Sequence, residues 1–429
     1  MLYVECDNTV KNTLKKAVSI MGLLPLPPEE DFRPCLCFAA ELIRTRSLPG
    51  EEGPVAALCE AQMRQLGYDR VWIDEVGNVL GLIYGKNRHR TLAFNSHMDH
   101  VAAGEESRWP HPPYAGVIEG GRLWGRGASD VKGALAVQLY AAALYKKRYG
   151  LPPCNVLMCC VVMEETGGVG SRHLAETVSS DLVILGEATK NELRVGHRGR
   201  YGFIAEFTGV SCHASQAWRG ANPHHLLGPF LCRLAELPPT RHPVLGESSA
   251  VPTTVWTDQT STNVVPGMIG LTIDYRSLPQ ESAEMVRERL VALMAEVMAA
   301  LKRPDGGVAG LAGKISFPQE TGRTWNGRGV SWIPAAPAYY LEAEAPLVKK
   351  LQQLLAPQAG PEVPVGIWHF ATDGGYLAAK GIPVVGYAPG EEHLAHTVED
   401  SISLDLMRES LAGHMTIIKE AEALFSLLK

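Results

Sequence analysis

From Val131 to Lys147 the sequence VKGALAVQLYAAALYKK carries apolar residues all round a helix, and the runs on either side, Thr91–Asn95 and Asn155–Met163, are apolar without strict alternation. A helix with no polar face must be enclosed, and strands without alternation must be covered on both faces. Strand, helix, strand at this spacing predicts an α/β fold: a mostly parallel sheet flanked by helices on both faces, with ligands gathering at the carboxyl ends of the strands. Shorter elements precede it. A helix is predicted from Phe38 to about Thr45 and another from Pro54 to Leu66, capped by Gly67, followed by strands at Val71–Ile73 and Asn78–Tyr84. Further upstream, a short amphipathic helix is predicted over Val10–Met21, ended by the Pro-rich Leu24–Pro28.

Beyond Glu187 the texture changes. Gly202–Val210 reads as a strand, Pro223–Leu237 as a helix, Thr253–Thr257 and Met268–Tyr275 as strands, Ser282–Leu301 as a helix and Gly313–Phe317 as a strand. This β-α-β-β-α-β order is that of a ferredoxin-like unit inserted into the larger domain. The expected division is therefore an N-terminal extension of residues 1–30, a large domain of residues 31–193 and 319–429, and an inserted domain of residues 194–318.

Charge excludes some partners. With 40 Lys and Arg against 46 Asp and Glu, the formal charge is −6, which offers no general attraction for nucleic acid or anionic membranes. No run reaches the roughly 18 to 20 apolar residues that span a bilayer. The start, Met-Leu-Tyr-Val-Glu-Cys-Asp, lacks the basic and apolar regions of a secretory signal, and the odd number of Cys, 9, fits a reducing compartment, so a cytoplasmic location is expected.

Polar residues of chemical interest stand where the strands end. His97 and Asp99, in Asn95-Ser96-His97-Met98-Asp99-His100, read either as a metal-binding imidazole with an orienting carboxylate or as a loop histidine beside a capping Asp. Gly125-Arg126-Gly127-Ala128-Ser129-Asp130 leads into the apolar helix, where an Asp also serves as a simple cap. A dinucleotide site is disfavoured there, since the third glycine is missing and Leu123-Trp124 is too short for the preceding strand. Glu164 and Glu165 close the Asn155 strand, and adjacent acids in that position are either exposed in a loop or in need of a cation. Glu187 ends Leu182–Leu185, while His393 and His396 follow Val384–Tyr387. Imidazoles and carboxylates without thiolates suit zinc, cobalt or manganese, and a carboxylate shared by two ions is the arrangement that two-metal hydrolysis uses.

Taken in order, His97-x-Asp99, the Gly125–Asp130 turn, Glu164-Glu165, Gly186-Glu187, His213-Ala214-Ser215 and Ala395-His396 resemble one family. It is that of the dinuclear zinc amidohydrolases and metallopeptidases, which includes aminoacylase, acetylornithine deacetylase, succinyl-diaminopimelate desuccinylase and glutamate carboxypeptidase. The likeness runs from about Phe38 to the C-terminus. Gly196–Arg200, Ser211–His213 and Phe370–Gly374 are most similar to its branch of selenium-metabolism-linked hydrolases.

The resemblance implies a zinc-exopeptidase-like catalytic domain and makes the inserted unit a lid and dimerisation domain, so a homodimer is expected. It implies two divalent metal ions, Zn2+ first, with Co2+ or Mn2+ as alternatives. His97 and Glu187 would bind one, Glu165 and His396 the other, and Asp130 would bridge them. Asp99 would orient His97, Glu164 would be the general base, and His213 would reach the partner subunit's active site to stabilise the tetrahedral intermediate. Asn263 and Arg276, with Arg323 and the Gly374 backbone, fall where the family binds the substrate carboxylate. The implied activity is hydrolysis of an amide bond in a small N-acyl amino acid or dipeptide. The alternatives are a carbamoylase acting on ureido groups and a noncatalytic binding protein, the latter opposed by the presence of Glu164 and every implied ligand.

Overall fold

The computed structural model describes residues 22–301, 310–356 and 362–428, so the helix predicted over Val10–Met21 lies outside the described residues. The large sheet runs in the order Arg70–Ile73, Val79–Ile83, Cys154–Val161, Asn87–His97, Leu182–Leu185, Val384–Gly386, Leu193–His197 and Tyr339–Tyr340, with Val365–Trp368 also on Leu193–His197. Its centre is parallel: Asn87–His97 pairs in that sense with Cys154–Val161 and Leu182–Leu185, and Val384–Gly386 with Leu182–Leu185. One margin is antiparallel because Arg70–Ile73 and Val79–Ile83 are joined by a turn too short for a crossover. Every residue of Cys154–Val161 is buried, as is each from Gly133 to Tyr145 in the helix Gly133–Tyr149, which accounts for their unbroken apolar pattern. Gln138, the polar exception, accepts from Ser96 Oγ at 2.8 Å and donates to the Ile184 carbonyl at 3.2 Å.

The helix predicted from Phe38 begins well before it, at Glu29, and ends at Arg44. Glu29, Glu30 and Asp31 fill its first turn, where the positive end of the helix dipole favours acids, and Asp31 accepts from Lys147 and Arg148 of the neighbouring helix. Pro34 lies inside its second turn, where it removes one backbone donor. No helix among the described residues is long and apolar enough to cross a membrane.

The second sheet is antiparallel, ordered Ser249–Thr257, Met268–Ser277, Gly199–Thr208 and Ala312–Ser316, with Ala335–Ala336 also on Gly199–Thr208. Helices His224–Ala235 and Ala283–Ala300 cover one face, bringing Phe230 and Leu290 into one core with Phe203 and Phe207. Alternation along Gly199–Thr208 buries Tyr201, Phe203, Ala205 and Phe207 and turns Arg200 and Gly202 to the opposite face.

A hairpin not read from the sequence, Glu320–Arg323 with Gly329–Trp332, leans on loops of the large sheet. Trp325 Nε1 donates to the Gly77 carbonyl at 2.9 Å, and a Cβ at Gly167 would lie 2.5 Å from the Trp332 indole. The parallel strands of the large sheet end at a common edge, so His97, Glu164–Glu165, Glu187 and the segment after Val384–Gly386 emerge together.

Candidate metal centre

At this edge His97 Nε2 lies 3.1 Å from Asp130 Oδ1 and 3.7 Å from Glu187 Oε1. His396 Nε2 lies 3.0 Å from Asp130 Oδ2 and 3.0 Å from Glu165 Oε1. Asp130 thus offers one oxygen to each side. The ligand atoms of His97, Asp130 and Glu187 are all within 4.8 Å of one another, as are those of Asp130, Glu165 and His396. A tetrahedral ion with nitrogen and oxygen ligands at about 2.1 Å separates them by about 3.4 Å, so each trio is spaced to close around one ion.

Hydrogen bonds from behind hold these groups. His97 Nδ1 donates to the Asp99 carbonyl at 3.0 Å, and the Asp99 carboxylate is 3.6 Å from the same nitrogen. That carboxylate accepts instead from the backbone N–H of Glu164 at 3.1 Å and of Glu165 at 3.0 Å, so Asp99 fixes both strand ends. The Met163 N–H donates to Glu52 Oε1 at 3.0 Å, and Met163 and His396 both take left-handed backbone, with φ of 53° and 61°. Such conformations in residues with side chains are strained and persist only where surrounding contacts enforce them.

Asp130 is not a simple helix cap. It sits with non-helical dihedrals in a π-type turn, Ala128–Lys132, and its peptide bond to Val131 is cis. Asp400 anchors this turn: Oδ2 accepts from Gly127 N at 2.7 Å and from Arg126 Nη1 at 3.1 Å, and Oδ1 from Ser129 N at 3.0 Å. One buried carboxylate therefore joins the turn carrying Asp130 to the segment carrying His396. Asp400→Ala is expected to weaken metal binding by about 10- to 100-fold, as loss of outer supports does at metal sites. Chelator competition measures this, and unchanged affinity would refute the anchoring role.

The electrostatics call for cations. Burial, with the carboxylates of Glu187 and Asp373 adding to it, pushes the Glu164 pKa well up. Burial likewise lifts Glu187 to about 8, with Asp130 and Asp373 adding and His97 opposing. Burial alone would depress the His97 imidazole, but Asp130 and Glu187 outweigh it and hold its pKa well above the usual range. Hydrogen bonds to Asp130 and Glu165 raise His396 to about 10. Acids crowded round two imidazoles in this way are suited to cations that displace the imidazole protons. The donor set, imidazole and carboxylate without thiolate, fits zinc, cobalt or manganese.

Over this cluster opens a cavity of about 450 Å3, with Glu164 on its wall beside the ligand trios and Arg200 and Arg276 facing it from the second sheet. Gly374 is buried next to the lining residues Thr372 and Asp373, and its N–H donates to Thr372 Oγ1 at 3.2 Å. Arg323 lies outside the lining, in the hairpin, where Nη1 donates to the Gly327 carbonyl at 3.1 Å. His213 and Asn263 sit 3.4 Å apart, exposed on the second domain and also outside the lining. His393 belongs to neither trio. Sequence reasoning did not single out Arg200, Asp373 or Asp400 as site residues. Arg200 lay just before the strand predicted from Gly202 and stood only within the Gly196–Arg200 resemblance segment. Asp373, whose buried Oδ2 has no hydrogen-bond partner among the described residues, stood only as an acid within the Phe370–Gly374 resemblance segment.

Comparison with known proteins places the chain in a family. The sequence profile of peptidase family M20/M25/M40 matches residues 93–420. The chain is 28% identical over 365 residues to the uncharacterized protein YgeY of Escherichia coli (strain K12), covering 84% of this chain and 87% of that one. It is 29% identical over 310 residues to the succinyl-diaminopimelate desuccinylase of Cereibacter sphaeroides, covering 68% and 78%. Among solved structures, aminopeptidase PepT from Bacillus cereus shares the fold with a TM-score of 0.70 at 20% identity, over 91% of this chain and 99% of that one.

Proposed function

Since the chain belongs to peptidase family M20/M25/M40 and is a metal-dependent hydrolase, we propose that it cleaves the amide bond of a small N-acyl amino acid or dipeptide bearing a free carboxylate. The observation that carries this reading is the pair of ligand trios sharing Asp130 under a cavity of about 450 Å3, a volume suited to a small molecule. His97, Asp130 and Glu187 would hold one divalent ion and Asp130, Glu165 and His396 the other, with Zn2+ first and Co2+ or Mn2+ as alternatives. Ions held there would supply Lewis-acid chemistry, lowering the pKa of a water and stabilising negative charge on the substrate carbonyl oxygen. Glu164 takes the proton of the attacking water and delivers it to the leaving amine nitrogen, and surroundings that raise its proton affinity suit both halves of that task. Arg276 pairs with the substrate carboxylate.

In this reading the large-sheet domain is catalytic and the inserted domain is a lid through which two copies dimerise, its start moved from the expected residue 194 to Gly199 because Leu193–His197 is a strand of the large sheet. The exposure of His213 and Asn263 away from their own cavity supports a role for His213 in the partner subunit's active site. The test is free-amine release by zinc- or cobalt-loaded protein from N-acetyl, N-succinyl and N-carbamoyl amino acids and from dipeptides. Turnover of an N-acyl amino acid or a dipeptide is expected. Release of ammonia and carbon dioxide from N-carbamoyl substrates alone would replace the reading with a carbamoylase, and no turnover with two metals bound would leave only a binding role.

A further inference from the structure

Arg200 and Arg276 are direct partners across adjacent antiparallel strands, so their side chains leave the same face of the lid sheet, the one opposite its helices. Asp274, two positions before Arg276 and so on that face, accepts from Arg276 Nε at 2.7 Å through one oxygen and from Arg200 Nε at 2.8 Å through the other. The residue opposite Asp274 is Gly202, so no side chain intervenes between the carboxylate and Arg200. Both arginines line the cavity. Each is bound to Asp274 through Nε, and its Nη groups hold no hydrogen bond among the described residues. Glu392, another acid on the cavity wall, accepts from Arg194 Nε at 3.0 Å.

We propose that Arg200 and Arg276 together form one receptor for a single substrate carboxylate, with Asp274 as the splint that sets both guanidiniums. The proposal rests on the reading of the substrate given above, and its new members are Arg200 and Asp274. Two guanidiniums beside one carboxylate leave one net positive charge, which matches one anionic group and leaves a second unmatched. Four Nη groups on two forks surround that anion more completely than one arginine does. The receptor therefore selects substrates with one carboxylate near the scissile amide and gives no advantage to diacids.

The experiment compares the best substrate of the panel with its carboxamide-capped counterpart in Arg200→Ala, Arg200→Lys, Arg276→Ala, the double alanine variant and Asp274→Asn. Each single alanine variant is expected to raise KM for the carboxylate substrate by about 10- to 100-fold with kcat little changed, the usual effect of losing charged hydrogen bonds made equally in ground and transition states. The double variant is expected to lose less than the product of the two single losses, because both arginines serve one anion. Asp274→Asn is expected to raise KM in the same sense, Arg200→Lys to recover only part of the loss, and the capped substrate to be processed alike by all variants. An unchanged KM in Arg200→Ala beside a raised KM in Arg276→Ala overturns the shared receptor. A loss in Arg200→Ala confined to diacid substrates also overturns it, in favour of a second anion site. If the wild-type protein turns over nothing in the panel, the substrate reading itself fails and the proposal falls with it.

Discussion

Replacing Glu164 by Gln is expected to reduce kcat/KM by about a thousandfold to ten-thousandfold while both metal ions stay bound. The loss is at the upper end of what general acid–base groups contribute, because Glu164 is asked to move the proton at both stages, from the water and to the leaving amine. Retention of the metals follows from the geometry, since Glu164 belongs to neither ligand trio. Gln keeps the size of the side chain and removes a charge that Glu187 and Asp373 oppose, so the fold loses nothing it depends on. Initial rates and metal content, measured on the same preparation, decide the matter. Turnover within about tenfold of wild type would remove Glu164 from the proton-moving role.

Asp130→Ala is expected to have the second large effect: both ions lost together and activity at background. Among the described residues Asp130 is the one carboxylate that faces both imidazoles, with Oδ1 3.1 Å from His97 and Oδ2 3.0 Å from His396. Glu187→Ala or Glu165→Ala removes a ligand from one trio only. Metal titration by calorimetry therefore separates the three variants: Asp130→Ala should show no tight ion, whereas each of the other two should keep one. Two tight ions retained in Asp130→Ala would show that the bridge lies elsewhere.

The central strands and their helix were legible because their pattern is local: an apolar segment declares burial wherever it ends up. The inserted unit was legible for the same reason, its alternation along Gly199–Thr208 and its helix periodicities being properties of short windows. The ligand trios were read one strand end at a time, and the resemblance joined them into a set. What stayed hidden depends on partners far apart in the chain. Nothing local marks Asp400 as the acceptor for Gly127 and Ser129, or Asp274 as the link between Arg276 and Arg200. Asp99 was read only as the group that orients His97, and nothing local marks its carboxylate as the acceptor for the backbone N–H groups of Glu164 and Glu165 in the turn after Cys154–Val161. The hairpin Glu320–Arg323 with Gly329–Trp332 was missed because its strands are short and its burial comes from single contacts such as Trp325 on Gly77.

The place of Val384–Gly386 bears on how the protein is made. It fills the gap between Leu182–Leu185 and Leu193–His197, although the second-sheet strands from Gly199 to Ser316 all precede it in the chain. During synthesis the second sheet can form while the large sheet is still open at its middle. His396 arrives later still, so a nascent chain holds His97, Asp130, Glu165 and Glu187 without the last imidazole. In the proposed reading the trio of Asp130, Glu165 and His396 is therefore complete only once the large sheet has closed, which would tie acquisition of hydrolytic power to completion of the fold.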